Sequence, residues 1–318
     1  MTSMSEQKSN LKILTQVFIV FLRLGFTSFG GPIAHLGYFH NEFVRKRKWI
    51  SESAYADLIS LCQFLPGPAS SQVGMAHGYS QGQSMGAFAA WLGFTIPSAL
   101  AMIAVAGGLQ HFAPSTNNIY FHGLKIATVA IVAQAVWAMG SKLCTEKKSW
   151  SLMILSTALT LIYTAPWMQF LVIGLAALAG YLVFDEADNI AHSPFSRGLN
   201  KSYGAICLFT LLTLLLLLPF LSKALNNHTL TQFDHFFRTG SMVFGGGHVV
   251  LPLLQSEVVN PGWVTQDQFL AGYGIAQAVP GPLFSFAAYL GAISPLNENP
   301  LFSGLICLVA IFLPSYLL

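Results

Sequence analysis

The hexapeptide Gln63-Phe64-Leu65-Pro66-Gly67-Pro68 returns 214 residues later as Gln277-Ala278-Val279-Pro280-Gly281-Pro282. Each copy lies inside an apolar stretch, 53–79 and 267–292. Proline removes a backbone donor and clashes with the preceding turn, so it breaks a helix. A second proline two residues on suits the first turn of a new helix. Each stretch therefore reads as two half-helices joined by a break. The second half-helix begins at Ala69-Ser70-Ser71 or Leu283-Phe284-Ser285, with its positive end available to an anion. Broken helices at matching positions of two halves point to a transporter's binding site. The competing reading is a plain kink.

Working outward, the whole neighbourhood repeats. Phe21-x-Arg23-x-Gly25 and Phe29-Gly30-Gly31-Pro32 return as Phe236-x-Arg238-x-Gly240 and Phe244-Gly245-Gly246-Gly247. Glu42, Trp49 and Tyr55 return as Glu257, Trp263 and Phe269. The offset is 215 at the arginines and glutamates, 214 at the tryptophans and first prolines, and 217 at Pro97-Ser98 and Pro314-Ser315. A period this long fits transporter halves, not a solenoid. The link after the first copy carries Arg45, Lys46, Arg47 and Lys48, whereas 255–266 carries no Lys or Arg. Cationic loops stay on the cytoplasmic side, so the asymmetry predicts inverted repeats.

Composition agrees. The 318 residues are 54% hydrophobic and only 8% charged, against roughly 25% charged in soluble domains. Such a chain cannot cover a globular surface in water; it excludes a soluble enzyme, a secreted disulfide scaffold and a disordered tail. A lipid bilayer is the expected surrounding. Apolar runs fall near 11–31, 84–109, 119–141, 150–164, 167–184, 203–222 and 300–318, beside the two broken stretches and the glycine-interrupted 232–254. The fold class expected is an all-α polytopic membrane protein of nine or ten segments, built from two homologous, inverted helical repeats with Pro-Gly-Pro broken helices. The expected division is a first repeat over 1–188, a linker with one membrane helix over 189–231, and an incomplete second repeat over 232–318. The second copy stops at Leu318 soon after Pro314, so a truncated reading frame is expected.

Arg23 and Arg238 lead the candidate site residues. An arginine within the membrane costs about 2.5–3.5 kcal/mol at the helix centre, and its planar fork suits an oxyanion. Snorkelling to the interface is the alternative for each alone. Gly30 and Gly31, and Gly245, Gly246 and Gly247, can unwind a helix and free backbone N–H groups into an anion nest, or simply make a turn. Gln63, Pro66, Gly67, Pro68 and Ser70, with Gln277, Pro280, Gly281 and Pro282, complete the expected substrate site. His35, Glu42, Asp57, His248 and Glu257 are candidates for coupling, with ordinary polar contacts as their alternative. Gly82-Gln83-Ser84-Met85-Gly86 matches G-x-S-x-G, but no strand precedes it, so no nucleophile elbow is expected. The stripe Gly74, Gly78, Gly82 and Gly86 looks like a packing face, yet its counterpart in the second copy is a turn, which predicts a loop over Ser80–Gln83. The cysteines Cys62, Cys144, Cys207 and Cys307 show no metal or redox spacing. No cofactor, metal or nucleic-acid partner is expected; a homo-oligomer is left open.

Phe29-Gly30-Gly31-Pro32, Pro66-Gly67-Pro68, Phe244-Gly245-Gly246-Gly247 and Gln277-x-x-Pro280-Gly281-Pro282 together resemble the chromate ion transporter family in its long, two-domain form. The resemblance implies a bacterial inner-membrane protein that exports chromate, with sulfate as the structural analogue and no enzymatic activity. Both are tetrahedral dianions, a shape that two arginines and two half-helix ends could balance by clamping at mid-membrane. Transport of sulfate or another anion, or an inactive fragment of such a transporter, is the alternative.

Overall fold

The computed structural model describes residues 4–112, 144–163, 168–183, 201–244, 250–296 and 299–318, with scattered helical positions between 123 and 141. Among these residues the fold is all-α and no strand occurs. Two compact units emerge, Met1–Thr128 with His192–Leu318, and Val129–Ala191.

In the larger unit, α1 (Met4–Thr27) ends at the first glycine cluster, and α2 (Gly31–Phe39) passes into a π-helical run, His40–Lys46. Then come α3 (Glu52–Phe64) and α4 (Ala69–Phe112). Local chemistry sets the starts. Ser51 caps α3 by accepting from the Ala54 N–H at 3.3 Å, and Pro68 lies directly before α4. Inside α4 the backbone leaves the helical region at Gly82 and Gln83, the latter with φ of 53°. The chain turns back there, where a loop is expected from the repeat. Gly78 and Gly86 on the two arms oppose so closely that a Cβ on either would overlap the other's backbone. Gly78 and Gly86 are thus the seam of a helical hairpin, where backbones approach without intervening side chains.

The second half follows the same plan. α7 (Lys201–Leu225) leads to α8 (His228–Met242), α9 (Val250–Val258) and α10 (Gln266–Ala278). After Pro280-Gly281-Pro282 a 3-10 turn, Leu283–Ser285, opens α11 (Phe286–Ile293), and α12 (Pro300–Leu317) returns along it. Asn227 caps α8, a Thr265/Gln268 capping box starts α10, and Asn299 with Pro300 starts α12. α1 lies backbone-close to the second arm of α4, with Gly25 facing the Phe94 carbonyl. α8 lies likewise on α12, with Gly240 facing the Ile311 carbonyl. Three described stretches are long and apolar enough to cross a membrane, Ala69–Gly108, Lys201–Leu225 and Pro300–Leu317, and Leu171–Leu182 and Leu283–Ile293 are shorter apolar helices.

The smaller unit contains α5 (Lys147–Ile162) and α6 (Met168–Val183). α5 buries no residue, and its apolar side chains Ile154, Leu155, Leu161 and Ile162 are all exposed, a surface suited to lipid and not to water. The expected apolar run 119–141 lies largely outside the described residues.

Candidate functional site

The two Pro-Gly-Pro breaks do not close on their own halves. The Gly67 N–H donates to the Val243 carbonyl at 2.6 Å, and the Gly281 N–H donates to the Ser28 carbonyl at 3.0 Å. Val243 and Ser28 immediately precede the two Phe-Gly-Gly clusters, at matching places of the two copies. Each break is therefore held by the backbone just ahead of the other half's glycine cluster. The second contact is reciprocal too. A Cβ at Gly67 would overlap Ser315 Oγ, and one at Gly281 would lie 2.8 Å from Ser98 Oγ. Both glycines have left-handed φ, 118° and 110°, so a side chain there is opposed by strain as well as by the close approach.

Around this crossing the interior is polar. Ser28, His35, Ser70, Ser71, Gln72, Thr95, Ser98, Ser285 and Ser315 are all buried. His35 Nδ1 lies 3.5 Å from Ser70 Oγ in the first turn of α4, and the ring also interacts with the Ser28 backbone. His35 thereby joins the first glycine turn to the half-helix that follows Pro68. Gln72 Nε2 donates to the Pro66 carbonyl at 2.9 Å. Gln277 Nε2 donates to Tyr273 Oη at 2.7 Å, while its Oε1 is the nearest atom to a Cβ built on Gly31, at 3.9 Å. The hydroxyls of Ser28, Ser71, Thr95 and Ser315 are buried without a hydrogen-bond partner. Buried polar atoms are nearly always satisfied, and inside a bilayer they mark cavities and ligand paths.

Of the expected site residues, the crossing gathers Gly30, Gly31, Pro66, Gly67, Pro68, Ser70, Gln277, Pro280, Gly281 and Pro282. Gly30 and Gly31 are both left-handed, with φ of 93° and 74°, at the start of α2. Gln63 is exposed near the end of α3. Gly245, Gly246, Gly247 and His248 lie outside the described residues. The sequence reading missed Ser28, Ser71 and Thr95 as site residues. It noted Ser98 and Ser315 only as repeat markers; their recurrence beside a proline was the available signal.

The arginines stand elsewhere. Arg238 sends Nε and Nη2 to the two carboxylate oxygens of Asp234, at 3.1 and 2.9 Å, and Asp234 is buried one turn earlier on α8. Arg23 is exposed and lines a cavity of about 200 Å³ with Asn41, Glu42, Lys46 and Arg47. The described contacts of each arginine lie within its own half.

Glu42 accepts from Arg47 Nε at 2.7 Å and pairs with Lys46 at 3.5 Å. Burial works to raise its carboxyl pKa, but the hydrogen bond and charge of Arg47, reinforced by Lys46, outweigh burial and hold it below the ordinary glutamate range. Glu257 instead pairs with His235 Nδ1 at 2.5 Å, and the His235 ring lies 4.7 Å from that of Trp263. Asp57 is half-buried on α3.

Comparison with known proteins bears on this geometry. The chromate transporter family model matches residues 15–181 and 230–318. A probable chromate transport protein of Synechococcus elongatus is 30% identical over 318 residues, covering 97% of this chain and 75% of its own. Chromate transport proteins of Cupriavidus metallidurans and Pseudomonas aeruginosa are 29% and 26% identical, covering 96% and 95% of this chain and 72% and 70% of theirs. No solved structure matches significantly. A membrane-type all-α chain with doubled Pro-Gly-Pro breaks, matched by this family over most of its length, belongs to the chromate transporter family.

Proposed function

We propose that this chain exports chromate across the bacterial inner membrane as a multi-pass carrier of two inverted repeats, with the anion bound at the crossing of the two breaks. One observation carries this reading: the reciprocal pair of hydrogen bonds, Gly67 to Val243 and Gly281 to Ser28. Each half contributes a broken segment to a shared polar centre, and rocking one half against the other would open that centre to alternate sides. Because Asp234 already balances Arg238, direct contacts to the anion fall to the crossing. They comprise the hydroxyls of Ser28, Ser71 and Ser315, the N-terminal end of α4, and the backbone at Gly30 and Gly31. His35, inside the same centre, is the coupling candidate best placed to sense the anion. An inside-negative potential favours outward movement of a dianion, each charge being worth about 2.3 kcal/mol per 100 mV.

Everted vesicles carrying the full chain test this directly. They should accumulate chromate when energised, and Ser28→Ala with Ser315→Ala should abolish accumulation while the protein stays folded. Vesicles that take up sulfate but not chromate would assign the carrier to sulfate. Vesicles that move neither anion would overturn the proposal.

A further inference from the structure

The two arginines of the repeat occupy equivalent places on α1 and α8, yet only one is internally balanced. Four residues before Arg238 stands Asp234, which takes both arms of its fork. Four residues before Arg23 stands Ile19. On a helix those positions share one face, so the substitution of Ile for Asp strips Arg23 of a carboxylate on its own helix. The neighbouring segment deepens the difference. Lys46 and Arg47 line the Arg23 cavity, whereas 255–266 in the second half contains no Lys or Arg. The one carboxylate lining that cavity, Glu42, already pairs with Arg47 and Lys46. Three cations against one carboxylate leave the cavity with an excess of two positive charges.

The cavity also adjoins a second depression. Ile19, Val20 and Arg47 line both it and a shallower groove of about 530 Å³ that reaches Leu11 and Lys12. Leu11, Thr15, Ile19, Arg23 and Thr27 follow one another at four-residue steps as an exposed ridge that winds along α1. The ridge ends at Thr27, one residue before Ser28 of the crossing.

We propose that the groove and cavity form a capture site for a free tetrahedral dianion on the face bearing the basic run Arg45–Lys48, with Arg23, Lys46 and Arg47 as its ligands. The site rests on the chromate reading and adds a direction to it. An anion is drawn in on the cationic face of the first half and leaves over the second half, where Asp234 has neutralised the equivalent arginine. Cationic clefts with low-dielectric walls concentrate anions and raise their on-rates, so the effect belongs to KM and not to the turnover step.

The test transplants the second half's device into the first. Chromate uptake is measured in everted vesicles of phosphatidylcholine alone carrying wild type, Ile19→Asp, Ile19→Asn and Lys46→Gln. Ile19→Asp should raise KM about tenfold with kcat unchanged and with a weakened dependence on ionic strength. The uncharged Ile19→Asn should raise KM much less than Ile19→Asp does. Lys46→Gln, at an exposed position ending the π-helical run, should raise KM severalfold. Ile19→Asp and Lys46→Gln with wild-type KM would overturn the capture site while leaving the carrier intact; wild-type vesicles that move no chromate would overturn the carrier itself. A KM difference that appears only when phosphatidylglycerol is present would assign the cations to a lipid phosphate and overturn the proposal.

Discussion

The first and second halves of this molecule share a skeleton and differ in where they keep their countercharges. At two consecutive positions α1 carries Ile19 and Val20, where α8 carries Asp234 and His235. In the second half, those two residues pair with Arg238 and Glu257 from within the helix. In the first half the apolar pair cannot do so; Glu42 is balanced by Arg47 and Lys46 from the adjoining segment, and Arg23 faces a cavity. Differences at a few side chains therefore leave three cations around a cavity in the first half, while the second half pairs its arginine on the same helix.

The largest expected effect breaks the second half's balance. Arg238→Ala leaves Asp234 buried and uncompensated, which should cost about 3 kcal/mol, read as a lowered unfolding temperature in detergent. Removing both partners in Arg238→Ala with Asp234→Ala should restore most of it. The matching Arg23→Ala should stay within about 0.5 kcal/mol of wild type. Equal losses at the two arginines would dissolve the comparison.

Next come the features that the halves share. Gly67→Ala and Gly281→Ala should each cost about 2 kcal/mol from the left-handed backbone alone, with more from overlap with Ser315 or Ser98. Adding Ser315→Gly to Gly67→Ala should relieve only the overlap. A large loss at one glycine without the other would show that the two breaks are not equivalent.

A smaller effect sharpens the contrast between the carboxylates. Because the Glu42 carboxyl is held below its ordinary range, its stabilisation is complete above the ordinary glutamate pKa and is lost as pH falls through the lowered value. Arg47→Gln should therefore destabilise the protein by up to about 1 kcal/mol at neutral pH and converge with wild type in acid. Unfolding midpoints followed from pH 7 to pH 3 check this, and a constant offset across that range would contradict it. Smallest of all, Ser315→Ala should leave the unfolding temperature unchanged, since the hydroxyl has no partner to lose. Its effect is confined to transport.

Much of this is legible in the residue order alone. Low charge and long apolar runs required a membrane chain, and paired Pro-Gly-Pro motifs required broken helices, because proline's missing N–H and fixed φ act wherever the residue stands. Spacing also located the turn at Gly82-Gln83, through its counterpart in the other copy. Those properties are local or periodic, and a linear string carries them. Only the tertiary structure decided that each break is held by the opposite half, that serines at the crossing carry unpartnered hydroxyls, and that Arg238 is already paired while Arg23 faces a cavity. Those outcomes depend on which backbones approach across more than two hundred residues and on which charged side chain reaches a carboxylate first. Distance and burial set them, and neither is written in residue order.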